Sequence, residues 1–171
     1  INTVNPPGNE ISAALYLQGL FNRAGIFNEI IEPVKGRGNF IARLGKGSRK
    51  LLFLSHLDVV PAEGKWGFDP FSGKIDAGQV CGRGALDCKG LTAAQAWAFL
   101  KLAREKVSFA GELIMVASAD EEMGGSLGIK YLCDNYPEKI QADFVVNEGA
   151  DLPLILNGHN LYFIQVGEKG P

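Results

Sequence analysis

Residues 51–61 read Leu-Leu-Phe-Leu-Ser-His-Leu-Asp-Val-Val-Pro, so a run of apolar side chains is followed at once by a histidine and an aspartate. Residues 51–54 are apolar at every position, which indicates a strand buried on both faces, as in the sheet of an α/β protein. His56 and Asp58 lie two positions apart, and in extended chain such side chains point to the same face. A metal-binding imidazole commonly donates its other N–H to a carboxylate. The segment therefore fits a metal ligand with its orienting carboxylate, and it also fits an ordinary His–Asp surface pair.

The segments on either side alternate between helical and extended patterns. Apolar residues at helical spacing predict helices at residues 9–24, 89–105 and 126–135. Strands are predicted at residues 26–34, 39–44, 112–117 and 143–146. Residues 45–48 predict a hairpin-type turn, and the proline- and glycine-rich residues 61–82 predict a long excursion without regular structure. Helices that alternate with strands predict an α/β fold.

The composition limits the class of protein. The chain has 171 residues, which is room for one domain, and 46% hydrophobic residues exclude disorder along its whole length. The formal net charge of -2 argues against a nucleic-acid surface, and no apolar run reaches the ~20 residues of a membrane span. Three cysteines at irregular spacing form no disulfide framework, so we expect a reducing compartment, the cytoplasm. We expect Cys81, Cys88 and Cys133 each to act as a small buried hydrophobe.

Three further segments place acidic residues beside the ends of predicted elements. Asp87 lies in a glycine-rich segment just before the second helix, where a helix-capping aspartate is also common. Glu121 and Glu122 belong to a run of three acids after an apolar strand, which indicates either a cation between the acids or a solvated turn. Glu148 follows the strand predicted at residues 143–146, a position that is also typical of surface acids.

Together these segments predict one histidine and several carboxylates at the strand ends of one sheet, which is where open α/β folds bind ligands. This set of side chains suits a divalent ion such as Zn²⁺, Mn²⁺ or Co²⁺. Carboxylates also bridge metals, so two ions about 3.5–4 Å apart fit the same residues. The side chains of the adjacent Glu121 and Glu122 diverge, which favours two different roles for them.

Four motifs, in this order and at these separations, resemble the M20 metallopeptidases: SHLDVVP at residues 55–61, GRGALDCKG at 82–90, DEEMGG at 120–125 and NEG at 147–149. That family includes glutamate carboxypeptidases, aminoacylases, acetylornithine deacetylase and succinyl-diaminopimelate desuccinylase. The resemblance extends over nearly all of the chain. It implies a zinc-peptidase-like α/β fold with a mixed, largely parallel central sheet and helices on both faces.

The resemblance also implies a metal centre built from particular residues. His56 matches a metal ligand and Asp58 the carboxylate that orients it. Asp87 matches a carboxylate that bridges two ions, and the peptide bond after it is typically cis in the family. Glu122 matches a ligand of one metal and Glu148 a ligand of the other. The implied cofactors are two divalent metal ions, Zn²⁺ first, with Co²⁺ or Mn²⁺ as alternatives.

Glu121 separates two hypotheses about function. It matches the family's general base, which would take a proton from water during cleavage of an amide bond in a peptide or N-acyl amino acid. The alternative is a non-catalytic, metal-binding relative that serves as a binding or interaction module. An intact base beside the metal ligands favours the enzyme. We expect a small-molecule substrate, with no nucleic-acid or membrane partner.

The resemblance further implies that the family's other parts are absent from residues 1–171, which would form the N-terminal portion of a catalytic domain. A second histidine ligand, the C-terminal part of that domain and a lid through which the full-length protein would form a homodimer are the expected missing parts. We expect the strand-like run at residues 161–166 to lead into the lid, and His159 to be structural. The chain folded alone is therefore expected to be inactive.

Overall fold

The structure is a computed structural model that describes residues 1–149 and 154–161. In chain order its helices and strands are α1 (Glu10–Arg23), β1 (Phe27–Ile31), β2 (Asn39–Gly45), β3 (Arg49–His56), β4 (Lys74–Asp76), β5 (Gln79–Cys81), α2 (Lys89–Arg104), β6 (Gly111–Ser118), α3 (Ile129–Asn135), α4 (Pro137–Ile140), β7 (Phe144–Val146), β8 (Leu154–Leu156) and β9 (His159–Leu161). None of the described helices is long and apolar enough to cross a membrane.

A five-stranded sheet in the order β1-β2-β6-β3-β7 forms the centre of the fold. β3 pairs in parallel with both β6 and β7, whereas β2 pairs antiparallel with both β1 and β6. β1, β6, β3 and β7 consequently run in one direction and β2 runs against them. The predicted mixed, largely parallel sheet is confirmed.

Side chains that alternate along the strands feed two apolar cores, one on each face of the sheet. Phe40 of β2 packs edge-to-face on Phe21 of α1, with ring centroids 5.0 Å apart, and Phe99 of α2 joins the same core. The next residue, Ile41, points to the opposite face, where Leu132 of α3 lies among other buried aliphatic side chains. Helices therefore cover both faces, as predicted.

The sheet order corrects one expectation, because residues 45–48 do not form a hairpin. β6 lies between β2 and β3, so these two strands do not pair with each other. A Cβ atom at Gly45 would crowd the Phe109 ring and the carbonyl oxygen of Gly111, and one at Gly47 would crowd the backbone of Ala110 and Gly111, where β6 begins. The glycines of this connection thus allow a distant strand to pack closely against it.

Two other segments differ from the sequence predictions. Residues 61–82 include a short hairpin, β4–β5, whose two-residue turn places Ala77 and Gly78 at positive φ. Its six strand residues are nearly all exposed, so the sequence shows no apolar alternation there. The helix predicted at residues 126–135 begins only at Ile129, since Gly128 is not helical, and α4 then begins at Pro137. Of the strand-like run at residues 161–166, only Leu161 lies within the described residues, where it ends β9.

Candidate active site

The carboxyl ends of three parallel strands bring the predicted site residues to one edge of the sheet. His56 ends β3 and is level with Ser118, the last residue of β6. Phe53 is level with Val146 at the end of β7, so Glu148 lies two residues beyond the sheet on the same edge. A 3-10 turn at Glu121–Met123 begins three positions after β6 ends. The register of the sheet therefore places residues separated by up to 92 positions side by side.

Asp87 reaches this edge from the turn that precedes α2. The first turn of α2 is attached to the end of β3, because the Thr92 hydroxyl donates to Ser55 Oγ at 2.9 Å and the His56 backbone N–H donates to Cys88 Sγ at 3.2 Å. The peptide bond between Asp87 and Cys88 is cis, as the resemblance implied. Gly90 packs so closely on the preceding turn that a Cβ atom there would overlap the carbonyl oxygen of Ala85.

Three carboxylates surround one nitrogen of the buried His56 ring. His56 Nε2 lies 2.9 Å from Asp87 Oδ1, 3.3 Å from Glu148 Oε1 and 3.8 Å from Glu121 Oε2. On the other side of the ring, Nδ1 donates to the Asp58 carbonyl oxygen at 3.0 Å and lies 3.4 Å from Asp58 Oδ1. The structure thus brings together five of the six residues singled out by the sequence.

The donor atoms at this edge fit a divalent ion. One ligand atom from each of His56, Asp87, Cys88 and Glu148 lies within 4.8 Å of the others. Ligands bound about 2.0–2.3 Å from one Zn²⁺ lie about 3.3–3.8 Å apart in tetrahedral geometry, so a shift of about 1 Å would bring these atoms into one coordination sphere. Glu122 is not among these four. The ligand assignments therefore remain predictions.

Glu122 nevertheless belongs to the same acidic surroundings. Burial raises the pKa of its carboxyl group, and the nearby negative charge of Asp87 raises it further. Its backbone N–H donates to Asp58 Oδ2 at 3.1 Å, so Asp58 fixes the backbone at this residue.

Cys88 lies at the site, although the sequence analysis predicts only a packing role for it. It is buried, as expected, and burial raises the pKa of its thiol, which keeps the sulfur protonated and a poor metal ligand. The one available signal was its place directly after Asp87. The same expectation is wrong for Cys133, which is exposed because α3 buries the neighbouring Leu132 instead, and Cys81 is half-buried.

Hydrogen bonding decides the charge of the two most buried site residues. Burial opposes the positive charge of His56, but hydrogen bonds to Asp58 and Cys88 and the negative charge of Glu148 raise its pKa to about 12. Burial likewise opposes the negative charge of Asp58. Hydrogen bonds from His56, from Asn5 and from the backbone N–H groups that follow β6 outweigh burial and hold the pKa of Asp58 below its ordinary value. The pair is consequently an imidazolium against a carboxylate in the metal-free chain.

Among the acids paired with the His56 ring, only Asp87 is more exposed than Glu121. Half of its side chain is exposed, and its backbone N–H donates to Asp58 Oδ1 at 3.1 Å. Burial of the other half raises the pKa of its carboxyl group; the negative charges around it raise it further, while His56 opposes them. A carboxylate with a raised pKa is a stronger proton acceptor near neutral pH.

A buried polar network behind these residues was missed by the sequence interpretation. The Arg37 guanidinium holds Glu10 through two hydrogen bonds of 2.8 Å and donates a further one to Asp120 Oδ1 at 2.8 Å. The cation beside the first acid of the 120–122 run is therefore an arginine. Asp120 and Arg37 are 83 residues apart, and the glycines on either side of Arg37 gave only the signal of a turn.

His159 takes no part in the described cluster. It pairs with Leu156 in the β8–β9 hairpin and is exposed, and its structural role stays a prediction.

The chain is similar in sequence to curated enzymes that are more than twice as long. Succinyl-diaminopimelate desuccinylase from Methylocella silvestris is 36% identical over 114 residues, which are 66% of this chain and 29% of that protein. Acetylornithine deacetylase from Vibrio campbellii is 32% identical over 145 residues, which are 81% of this chain and 37% of that protein. The matched residues thus span about a third of the length of these relatives.

Solved structures share the fold. The M20 family metallo-carboxypeptidase Sso-CP2 from Sulfolobus solfataricus superimposes with a TM-score of 0.73 at 26% identity, covering 88% of this chain and 35% of that one. Human carnosine dipeptidase 1 gives a TM-score of 0.69 at 23% identity, covering 90% of this chain and 36% of that one. The model of peptidase family M20/M25/M40 matches residues 52–158, which is more than half of the chain. The chain therefore belongs to peptidase family M20/M25/M40.

Proposed function

We propose that the chain carries the metal centre of a hydrolase that cleaves an amide bond in a peptide or an N-acyl amino acid. The observation that carries the proposal is the convergence of His56 Nε2 with the carboxylates of Asp87, Glu148 and Glu121 at distances from 2.9 to 3.8 Å. Relatives named as a desuccinylase, a deacetylase and a carboxypeptidase support this class of reaction.

His56, Asp87, Glu122 and Glu148 are the proposed ligands of two divalent ions, with Zn²⁺ preferred over Co²⁺ and Mn²⁺. Imidazole and carboxylate ligands suit all three metals. Bound ions would polarise the substrate carbonyl and lower the pKa of a water molecule. The greater length of the relatives supports the expectation that a second histidine and a lid domain come from further sequence.

Glu121 is the proposed general base. Its half-exposed carboxylate lies 3.8 Å from His56 Nε2, close enough to take a proton from water at the site and deliver it to the leaving amine. Asp58 is proposed to hold the His56 ring in place and to fix the turn that carries Glu121. Because Asp58 accepts the Glu121 backbone N–H, it couples the histidine to the base.

The proposed surroundings of the protein follow from its cysteines. Cys81, Cys88 and Cys133 are all free thiols, which supports a reducing compartment, the cytoplasm.

The test uses the complete protein loaded with Zn²⁺ or Co²⁺ and assayed on a panel of N-acetyl and N-succinyl amino acids and dipeptides. We expect Glu121→Gln to lower kcat by ~10²–10⁴-fold with metal content unchanged, because it removes the proton acceptor and preserves shape. Glu105→Gln, on the exposed end of α2, is the matched control and should leave kcat unchanged.

Two outcomes would contradict the proposal. A Glu121→Gln variant with near-normal kcat and full metal content would show that another group is the base. A metal-loaded wild-type protein without turnover on any amide of the panel would favour the non-catalytic binding module.

A further inference from the structure

The amide of Asn5 lies buried between two carboxylates behind the site. Its Nδ2 donates to Asp58 Oδ2 at 2.9 Å and to Asp120 Oδ1 at 3.1 Å, and the residue is only 3% exposed. We propose that Asn5 is a positioning residue, whose amide fixes the turn that carries Glu121 and Glu122. The proposal rests on the proposed function in one respect: it takes Glu121 as the general base and Glu122 as a metal ligand.

Backbone pairing holds Asn5 in this place. Its N–H donates to the Val59 carbonyl at 2.9 Å, and the Val59 N–H donates to the Thr3 carbonyl at 3.1 Å. The buried Thr3 hydroxyl also donates to the carbonyl of Leu57 at 2.6 Å. The N-terminal segment is thereby attached to the residues on both sides of Asp58, so the position of the amide is set before any metal binds.

The two carboxylates that Asn5 joins control opposite sides of the turn. Asp58 accepts the backbone N–H groups of Glu121 and Glu122, each at 3.1 Å. Asp120 precedes them at a positive φ of 67°, a conformation that a residue with a side chain keeps only when its surroundings hold it. Asn5 touches both, and therefore sets the distance between the two anchors of the turn.

Removing the amide should loosen this arrangement. Two buried carboxylates without a donor between them repel each other, and each loses a hydrogen bond. The turn would then shift relative to the His56 ring, whereas the substrate-contacting surface would stay as it is. Replacing groups that orient metal ligands typically costs 10–100-fold in activity or metal affinity. We expect kcat and Zn²⁺ affinity each to fall about tenfold in Asn5→Ala, with KM within about twofold of wild type.

The test compares Asn5→Ala and Asn5→Ser in the complete protein with a control that lowers stability elsewhere. Asn5→Ser keeps one hydroxyl donor and should lose less than Asn5→Ala in both properties. Phe99→Leu removes packing in the core between α1, α2 and the sheet, and does not touch the polar network. Zn²⁺ affinity is measured by competition with a chromophoric chelator, and kcat and KM with the best amide substrate.

Separate readouts keep this inference distinct from the proposed function. If the wild-type protein cleaves no amide, the Zn²⁺ affinities still decide the role of Asn5. Zn²⁺ affinity and kcat within twofold of wild type in a folded Asn5→Ala variant would overturn the inference. Losses of the same size in Phe99→Leu, at equal loss of thermal stability, would also overturn it, because they would reduce the effect to general destabilisation. If Asn5→Ala does not fold, the same criteria apply to Asn5→Ser.

Discussion

Substitution of Arg37 should leave two buried carboxylates, Glu10 and Asp120, without the cation that neutralises them. Arg37 is 9% exposed, and its guanidinium holds Glu10, which is fully buried, and Asp120, which is 4% exposed. Arg37→Met keeps a long apolar side chain of similar reach and removes every one of these hydrogen bonds. The buried carboxylates of Glu10 and Asp120 then lack the positive charge of Arg37.

The expected cost follows from the number and burial of the groups left behind. Removing one member of a buried ion pair typically destabilises a protein by about 3–5 kcal/mol, because the remaining charge is desolvated without compensation. The bidentate contact with Glu10 and the added contact with Asp120 place Arg37→Met toward the upper end of that range. Asp120 keeps donors from the Ser126 hydroxyl and the Leu127 N–H, so it contributes less of the cost than Glu10.

The measurement is urea unfolding at neutral pH, followed by the fluorescence of Trp66 and Trp97. A double variant, Glu10→Gln with Arg37→Met, removes both charges and should lose less stability than Arg37→Met alone, since a neutral pair carries a smaller desolvation penalty. A loss below about 1 kcal/mol in Arg37→Met would refute the reasoning. So would a double variant whose loss equals the sum of the two single losses, because the charges would then act independently.

Two further predictions concern the metal centre. In the metal-free chain His56 keeps its proton far above neutral pH, so Zn²⁺ must displace that proton; the apparent affinity should therefore rise about tenfold for each pH unit between pH 6 and 8. Affinity that does not change with pH would contradict the imidazolium. Gly90→Ala should push the turn before Asp87 away from α2, lowering the free energy of unfolding by about 1–3 kcal/mol and weakening Zn²⁺ binding. Gly19→Ala, in the open middle of α1, is the control and should be neutral or stabilising in thermal unfolding, with unchanged Zn²⁺ binding.

The parts of the site that could be predicted from the sequence are those whose signal is local. An apolar run ending in His56 indicates a buried strand end, and the two-residue spacing to Asp58 places both side chains together whatever the rest of the chain does. Glu121 and Glu148 also lie two or three residues after apolar strands, although β7, the strand before Glu148, is exposed rather than buried. Parallel pairing of β3 with β6 and β7 then brings these separate strand ends to one edge.

The missed parts depend on contacts between residues far apart in sequence. Nothing near Arg37 indicates that its partner is Asp120, and nothing near Asn5 indicates that it will lie between two carboxylates. The pairing of β2 with β6 is also a contact between distant residues. The sequence analysis missed it because residues 45–48 have the composition of a tight hairpin, which favours pairing of β2 with β3. Turn composition reports the local backbone, whereas strand order depends on which apolar surfaces pack together across the whole chain.

The place of β6 between β2 and β3 also governs when the sheet can form during synthesis. β2 and β3 are translated before β6, the strand that lies between them. Until residue 118 has emerged, β2 can pair only with β1, and β3 has no partner strand. Such non-local pairing slows folding, because the loop closure must come before the contacts that compensate for it. β3, the strand that carries His56, therefore has both edges open in the nascent chain until β6 and β7 have emerged, so the cluster of carboxylates around His56 can form only after Glu148 has been translated.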